Sequence, residues 1–304
     1  MILRHVLLWL SRRPALRHWV ESSPVSRRLT SRFIAGQRLE GAIAVSRRLN
    51  RMGLLVTLDY LGEQVGSRDL ARASRDTYLE VLGEIQRLRL DATVSVKLSQ
   101  FGLDISEALC HEHLEAVVSE AARLATSVEV DMESYDYVDR TLHLVVRMHE
   151  KHGNLRGVIQ AYLRRSEGDL EMLCQRGIPV RLCKGAYSEP PARAFPRKSE
   201  VNWNFLRLAR ILLDRGIYPG FATHDERILA EIRRYAHQQG IPSDRYEFQM
   251  LYGIRRDLER RFLEDGYRLR LYVPFGEAWY PYFMRRLAER PANLLFLLKN
   301  LVRG

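Results

Sequence analysis

Near the carboxyl-terminal end of the chain, in the segment YPYFMRRLAER, Tyr282, Arg285, Arg286 and Glu289 are separated by three- and four-residue steps. On a helix such steps share a face, so a phenol, two guanidinium groups and a carboxylate gather on one side. Arginine presents a planar fork that holds a carboxylate through two parallel hydrogen bonds, and an adjacent pair can clamp one small acid. Glu289 would fix one fork through an ion pair. Pro281 suits the first turn of that helix, where a missing N–H costs least. A solvated basic face is the competing reading of these residues.

A second concentration of chemistry lies in VRLCKGAY, Val180 to Tyr187. Arg181 and Lys184 flank the end of an apolar run, and Gly185 follows, where a missing side chain lets backbone approach a ligand closely. Two cations beside bare backbone suit an anion or an electron-rich ring. Taken alone, Lys184 is equally compatible with a Schiff-base nucleophile of the aldolase kind or with a structural ion pair.

These side chains need elements to position them. Short β-branched or apolar runs alternate with longer amphipathic segments, the pattern of βα units on a parallel sheet. Eight runs are legible: Leu55 to Leu61, Thr93 to Ser99, Val128 to Glu133, Gly157 to Leu163, Pro179 to Ala186, Pro219 to His224, Tyr246 to Gly253 and Arg268 to Phe275. Helix-length segments separate most of them, such as Arg72 to Leu88, Ser106 to Ala125 and Asn202 to Arg215. Asp59, Lys97, Asp131, Gln160, Lys184, His224 and Tyr272 each fall at or near the downstream end of a run. In a closed (β/α)8 barrel all such ends face one mouth, so residues remote in sequence converge there. The expectation is therefore an α/β protein with a TIM-like barrel, and an open doubly wound sheet is the alternative. Residues 1–52 read as an N-terminal helical extension and 53–304 as the barrel. From Ser23 to Met52 the texture is basic and helical, with Phe33, Ile34, Leu39, Ile43, Val45 and Leu49 forming an apolar stripe of broken helical spacing.

Composition sets the class. The chain has 304 residues, 46% hydrophobic and 28% charged, which is ordinary for a globular protein and long enough for one barrel of roughly 250 residues. A formal net charge of +11 admits nucleic acid, an acidic membrane surface or an anionic ligand. The arginines are dispersed and no RRM, KH, zinc-finger or basic-zipper pattern occurs, so nucleic acid is not expected as a partner. Weak attachment to acidic lipid is a better match to the charge.

Cys110, Cys174 and Cys183 are odd in number and widely spaced, without a C-x-x-C pair, and read as reduced thiols of a cytoplasmic protein. Cys110, His111, Glu112 and His113 are ligand-type side chains. Helical neighbours point about 100° apart, however, and do not close around one ion. The run reads as an exposed helix start, and no metal is expected. Val6 to Leu10, flanked by Arg4, Arg12 and Arg13, is too short to span a bilayer. A small amphipathic helix lying on the protein or on a membrane surface suits it.

Motif by motif, the chain resembles the FAD-dependent proline dehydrogenase family. Val94 to Gln100 (VSVKLSQ), Val130 to Glu133 (VDME), Val158 to Leu163 (VIQAYL), Arg181 to Tyr187 (RLCKGAY), Ala222 to Asp225 (ATHD), Phe248 to Gly253 (FQMLYG), Tyr272 to Gly276 (YVPFG) and Tyr282 to Arg290 follow the family's order and spacing. The length is similar to that of the monofunctional bacterial form. The resemblance implies a (β/α)8 barrel with FAD across its mouth. It also implies oxidation of L-proline to 1-pyrroline-5-carboxylate, the first step of proline catabolism to glutamate, by hydride transfer from C5 to the flavin N5, with electrons passed to a membrane quinone. A flavin bound at a barrel mouth needs no G-x-G-x-x-G loop. Peripheral contact with the inner face of the cytoplasmic membrane is the matching expectation for location.

Carried over from the family, Lys97, Arg285 and Arg286 match the positions that bind the substrate carboxylate. Leu251, Tyr272 and Tyr282 match those that pack its ring. Met132, Gln160, Arg181, Lys184, Gly185, Ala186, Thr223 and His224 match flavin-binding positions, with Arg181 beside N5, and Glu289 matches an acid paired with the second arginine. Asp131 is expected in the catalytic site with Arg181. A carboxylate among cations is held in its charged form, so orienting its neighbours suits it better than accepting a proton. The chain departs from the family in having Asp225 where many relatives carry Asn, and Tyr252 stands at a variable site. Tyr272 favours proline, because hydroxyproline-specialised relatives carry a smaller residue there. Outside this family, the competing functions are a Schiff-base lyase built on Lys184 and a non-catalytic basic scaffold.

Overall fold

A computed structural model of the protein describes residues 32–62, 64–280 and 282. The strands are β1 (Leu55–Tyr60), β2 (Ala92–Val96), β3 (Val128–Val130), β4 (Leu155–Gln160), β5 (Val180–Cys183), β6 (Gly220–Ala222), β7 (Glu247–Leu251) and β8 (Leu269–Phe275). They are parallel and close into a barrel in sequence order, with β1 pairing both β2 and β8. Each expected run contains or overlaps its strand, and the open-sheet alternative is excluded by the β1–β8 ladder, which runs from Leu55 opposite Arg270 to Tyr60 opposite Phe275.

Around the barrel lie α1 (Leu39–Arg51), α2 (Arg68–Arg87), α3 (Glu107–Arg123), α4 (Val138–His152), α5 (Ser166–Gln175), α6 (Lys198–Arg215), α7 (Glu226–Gln238) and α8 (Arg256–Glu264). Their faces are set by spacing. In α2 the residues Ala71, Tyr78, Val81, Leu82 and Ile85 are buried, a stripe of helical period that packs on the barrel's outer wall. The Ser67 hydroxyl accepts from Leu70 N at 3.3 Å and caps this helix, starting it a turn before the expected Arg72. Ser106 caps α3 in the same way, accepting from Leu109 N at 3.4 Å.

Strand alternation divides the barrel into an apolar outer layer and a polar interior. Val56, Leu58, Val94, Val96, Val128 and Val130 are buried within the hydrophobic core shared with the helices. Residues of the opposite parity carry Thr57, Asp59, Ser95, Glu129, Asp131 and Arg181, which are buried too but meet across the interior through hydrogen bonds and ion pairs. Helix α1 buries Ala42, Ile43 and Leu49 in the same core, and Arg48 Nη2 donates to Tyr252 Oη at 2.6 Å. The described part of the expected N-terminal extension is thus packed on the barrel. Val6 to Leu10 and Ser23 to Ser31 lie outside the described residues.

One expectation is corrected. Cys110 and His113 are buried, because α3 turns this face onto the turn Leu98–Phe101, and His113 Nδ1 lies 3.2 Å from Phe101 O. Only Glu112 of that run is exposed. The sequence shows the residue types, but the phase of the helix decides which of them face inward.

Candidate active site

At the carboxyl ends of the strands, Asp131 is the centre of a compact polar cluster. It follows β3, and each oxygen of its carboxylate accepts two contacts. Oδ2 takes Tyr272 Oη at 2.6 Å and Lys97 Nζ at 2.9 Å. Oδ1 takes Ser95 Oγ at 2.7 Å and the Arg181 guanidinium through Nη2. Lys97, just past β2, also donates to Asp59 Oδ1 at 3.0 Å and to Tyr272 Oη at 3.3 Å. The Arg181 guanidinium carbon sits 5.2 Å from the Tyr272 ring centroid. Burial, followed by the negative charge of Asp59, pushes the Tyr272 phenol well above its usual range. The phenol therefore keeps its proton and donates it to Asp131. β1, β2, β3, β5 and β8 each supply a member of the cluster, which only barrel closure brings within contact.

Beside it, at the end of β4, Gln160 Nε2 donates to the carbonyls of Met132 at 3.0 Å and Glu133 at 2.7 Å. This anchors the loop after β3 and leaves the amide oxygen of Gln160 buried without a hydrogen-bond partner among the described residues. Gly185, past β5, has φ +104°, and a Cβ there would lie 2.1 Å from Tyr162 Cδ1. Both the backbone conformation and the close ring require glycine. Lys184 Nζ lies 2.8 Å from Asp225 Oδ2 and 2.8 Å from Asn202 Oδ1. Burial would raise the Asp225 carboxyl, but its bond to Lys184 brings it below its usual value. Thr223 Oγ1 accepts from Asp225 N at 3.2 Å. His224 Nε2 accepts from Leu251 N at 2.9 Å, which places a neutral ring's proton on Nδ1. Leu251 is the register partner of Tyr272 on the neighbouring strand.

The structure thus gathers Lys97, Asp131, Arg181 and Tyr272 into one cluster. Met132 and Gln160 lie beside it, and Lys184, Gly185, Thr223, His224 and Leu251 continue around the rim. Ala186 is exposed next to Gly185, and Tyr282 is buried. Arg285, Arg286 and Glu289 lie outside the described residues. Sequence reading did not assign Ser95, Glu129 or Asn202 to the site. Glu129 had a usable signal, a charged residue inside an apolar run and in phase with Asp131. Ser95 and Asn202 had none. Among the described residues no group of His, Cys, Asp and Glu is arranged to hold a metal ion. A cavity of about 400 Å³ lined by Thr93, Ser127, His152 and Asn154 lies toward the opposite ends of the strands and shares no residue with this cluster.

With this geometry in view, comparison with known proteins is decisive. A family model described as Proline dehydrogenase matches residues 42–299. The chain belongs to the proline dehydrogenase family. Proline dehydrogenase 1 of Bacillus subtilis (strain 168) is 39% identical over 302 residues, covering 99% of this chain and all of that one. The proline dehydrogenase of Deinococcus radiodurans is 37% identical over 281 residues, covering 91% of each. Among solved structures, proline utilization A from Bdellovibrio bacteriovorus inactivated by N-propargylglycine superposes with a TM-score of 0.81 at 28% identity. It matches 87% of this chain, which spans about a third (33%) of that longer protein.

A flavin suits the residues present in this member of the family. The unsatisfied amide oxygen of Gln160 can accept from a ring N–H, Gly185 leaves room for close backbone approach, and Arg181 and Lys184 supply positive charge where a reduced ring or a phosphate is negative. No described helix is long and apolar enough to cross a membrane.

Proposed function

We propose that the chain oxidises L-proline to 1-pyrroline-5-carboxylate with FAD as its cofactor and passes the electrons to a quinone, opening the catabolism of proline toward glutamate. The observation that carries this reading is the Lys97–Asp131–Arg181–Tyr272 cluster, in which two cations and a protonated phenol are fixed by one carboxylate beside the Gln160 acceptor. When bound, FAD would supply a two-electron acceptor for the hydride of proline C5.

The protein's part is positioning, which can account for much of a hydride-transfer rate. Lys97, joined by Arg285 and Arg286, takes the substrate carboxylate, while Leu251, Tyr272 and Tyr282 pack against the ring. Asp131 orients Lys97 and Arg181. With both oxygens already accepting hydrogen bonds, it serves as a structural anion better than as a proton acceptor. Arg181 stabilises negative charge through a preorganised field. Met132, Gln160, Lys184, Gly185, Ala186, Thr223 and His224 form the cofactor bed, and Glu289 braces Arg286. Residues 1–52 serve as an extension of the barrel domain 53–304, and the basic surface permits peripheral contact with an acidic membrane.

A Schiff-base lyase would need Lys184 as a free amine, whereas its nitrogen bridges Asp225 and Asn202. The test is turnover of purified protein with L-proline and a soluble quinone, alongside borohydride trapping with an aldehyde. Quinone reduction that depends on L-proline is expected; a colourless protein that borohydride labels at Lys184 overturns the reading.

A further inference from the structure

The barrel interior holds a second ionic layer beneath the site. Glu247 on β7 is fully buried and lies 2.5 Å from Arg156 Nη1 and 2.8 Å from Arg270 Nε. Burial alone would raise the Glu247 carboxyl, but Arg270 and Arg156 hold it well below the usual carboxylate range, so this layer is ionised. Nearer the mouth stand Asp59, Lys97, Asp131 and Arg181.

Glu129 is the joint between the layers. It precedes Asp131 by two residues on β3, shares its inward face and is 1% exposed. Its Oε1 accepts from Thr57 Oγ1 at 3.2 Å and from Arg156 Nη1 at 3.3 Å. Its Oε2 lies 2.9 Å from Arg181 Nη1. Arg181 therefore lies between Glu129 below, an ion pair without hydrogen-bond alignment, and Asp131 above, to which it donates a hydrogen bond. Among the described residues of this interior the cations Lys97, Arg156, Arg181 and Arg270 are matched in number by the anions Asp59, Glu129, Asp131 and Glu247. Removing one buried carboxylate leaves a cation without full compensation in a medium that screens poorly.

We propose that Glu129 is a positioning residue for the reaction, acting through Arg181: it holds the guanidinium in place from behind and offsets part of its charge. The proposal rests on the flavin reading of the site given above. A neutral glutamine at position 129 frees one side of Arg181 and leaves its charge less compensated, which favours a reduced, negatively charged ring.

The experiment is a double-mutant cycle on FAD-loaded protein with Glu129→Gln, Arg181→Met and the double variant. The readouts are kcat and KM for proline and, in the absence of proline, the midpoint potential of the bound flavin by dye equilibration. In Glu129→Gln, kcat falls roughly tenfold with KM changed less, a coupling of the size found within ion-pair networks. The potential moves positive by about a tenfold change in the reduction equilibrium, ~30 mV for a two-electron couple. In the Arg181→Met background the same substitution changes neither readout.

Glu247→Gln serves as the control, since Glu247 meets Arg156 and Arg270: it lowers stability and leaves the potential in place. Should Glu129→Gln not fold, Glu129→Asp, which keeps the charge on a shorter arm, replaces it in the cycle; its loss of kcat must likewise vanish in the Arg181→Met background. Equal effects with and without Arg181, or a drop in melting temperature with kcat and potential unchanged, overturn the proposal. Wild-type protein that holds flavin but ignores proline would defeat the functional reading instead, and the potential arm would still decide the coupling between Glu129 and Arg181.

Discussion

Replacing Asp131 by asparagine tests the centre of the site with a change of almost no volume. The carboxylate accepts from Lys97, Tyr272, Ser95 and Arg181. An amide keeps one oxygen for one pair of donors and turns an NH2 group toward the other pair, so two donors face a donor. Hydrogen bonds to a charged group contribute ~1.5–3 kcal/mol each, and breaking a buried ion pair costs ~3–5 kcal/mol. Lys97 keeps Asp59 and Arg181 keeps Glu129, which limits the loss to the lower part of that range. The expected destabilisation is ~3 kcal/mol, a large share of a stability of ~5–15 kcal/mol. Denaturant titration, read as a shift in midpoint at constant slope, measures it. Displacing Lys97 and Arg181 by a fraction of an ångström to an ångström should lower kcat/KM by ~100-fold. If Asp131 orients its neighbours, the shape of the pH–rate profile survives the substitution; if it accepts a proton, one limb of the profile disappears. An Asp131→Asn protein with wild-type stability and kcat/KM within threefold of wild type would refute the reasoning.

Gly185→Ala should destabilise the loop after β5 by ~1–3 kcal/mol, since alanine must adopt φ +104° against the Tyr162 ring, and it should purify with less flavin, read from the ratio of visible to ultraviolet absorbance. Glu259 on α8 is buried, and burial pushes its carboxyl from 4.5 up to about 7. In the window between those values the folded protein holds a proton that the unfolded chain has released, so stability falls as pH rises. At 1.36 kcal/mol per pH unit the loss above pH 7 reaches ~3 kcal/mol. Glu259→Gln should therefore melt higher than wild type at pH 8 and alike near pH 4.5, and equal melting at pH 8 would contradict the assignment. The paired substitution Arg285→Ala, Arg286→Ala should raise KM for proline by orders of magnitude while flavin stays bound. An unchanged KM would remove those arginines from the substrate clamp.

Much of the barrel could be read from the sequence because parallel strands buried on both faces leave short apolar runs, and helices between them leave stripes of a different period. The mouth was legible for the same reason: a polar residue at or near the end of seven of the eight runs points to the side where the strands end. Interior pairing was not. Tyr272 and Asp131 are 141 residues apart in sequence and meet because β8 closes onto β1. No local pattern encodes which acid faces which base, so the placement of Arg181 between Glu129 and Asp131 emerges only in the closed barrel. Asp225, noted in the sequence as a departure from the family, proves to be the ion-pair partner of Lys184. Helix ends shifted by a turn where Ser67 supplied a cap. The run from Cys110 to His113 was misread because helix phase, unlike residue type, depends on what packs against it.

The most direct test of the central claim is anaerobic titration of the FAD-loaded protein with L-proline, with hydroxyproline and pipecolate as comparators. L-Proline should bleach the flavin absorption band and yield 1-pyrroline-5-carboxylate in equal amount, with the comparators acting far more slowly. A flavin band left intact by saturating L-proline would contradict the account.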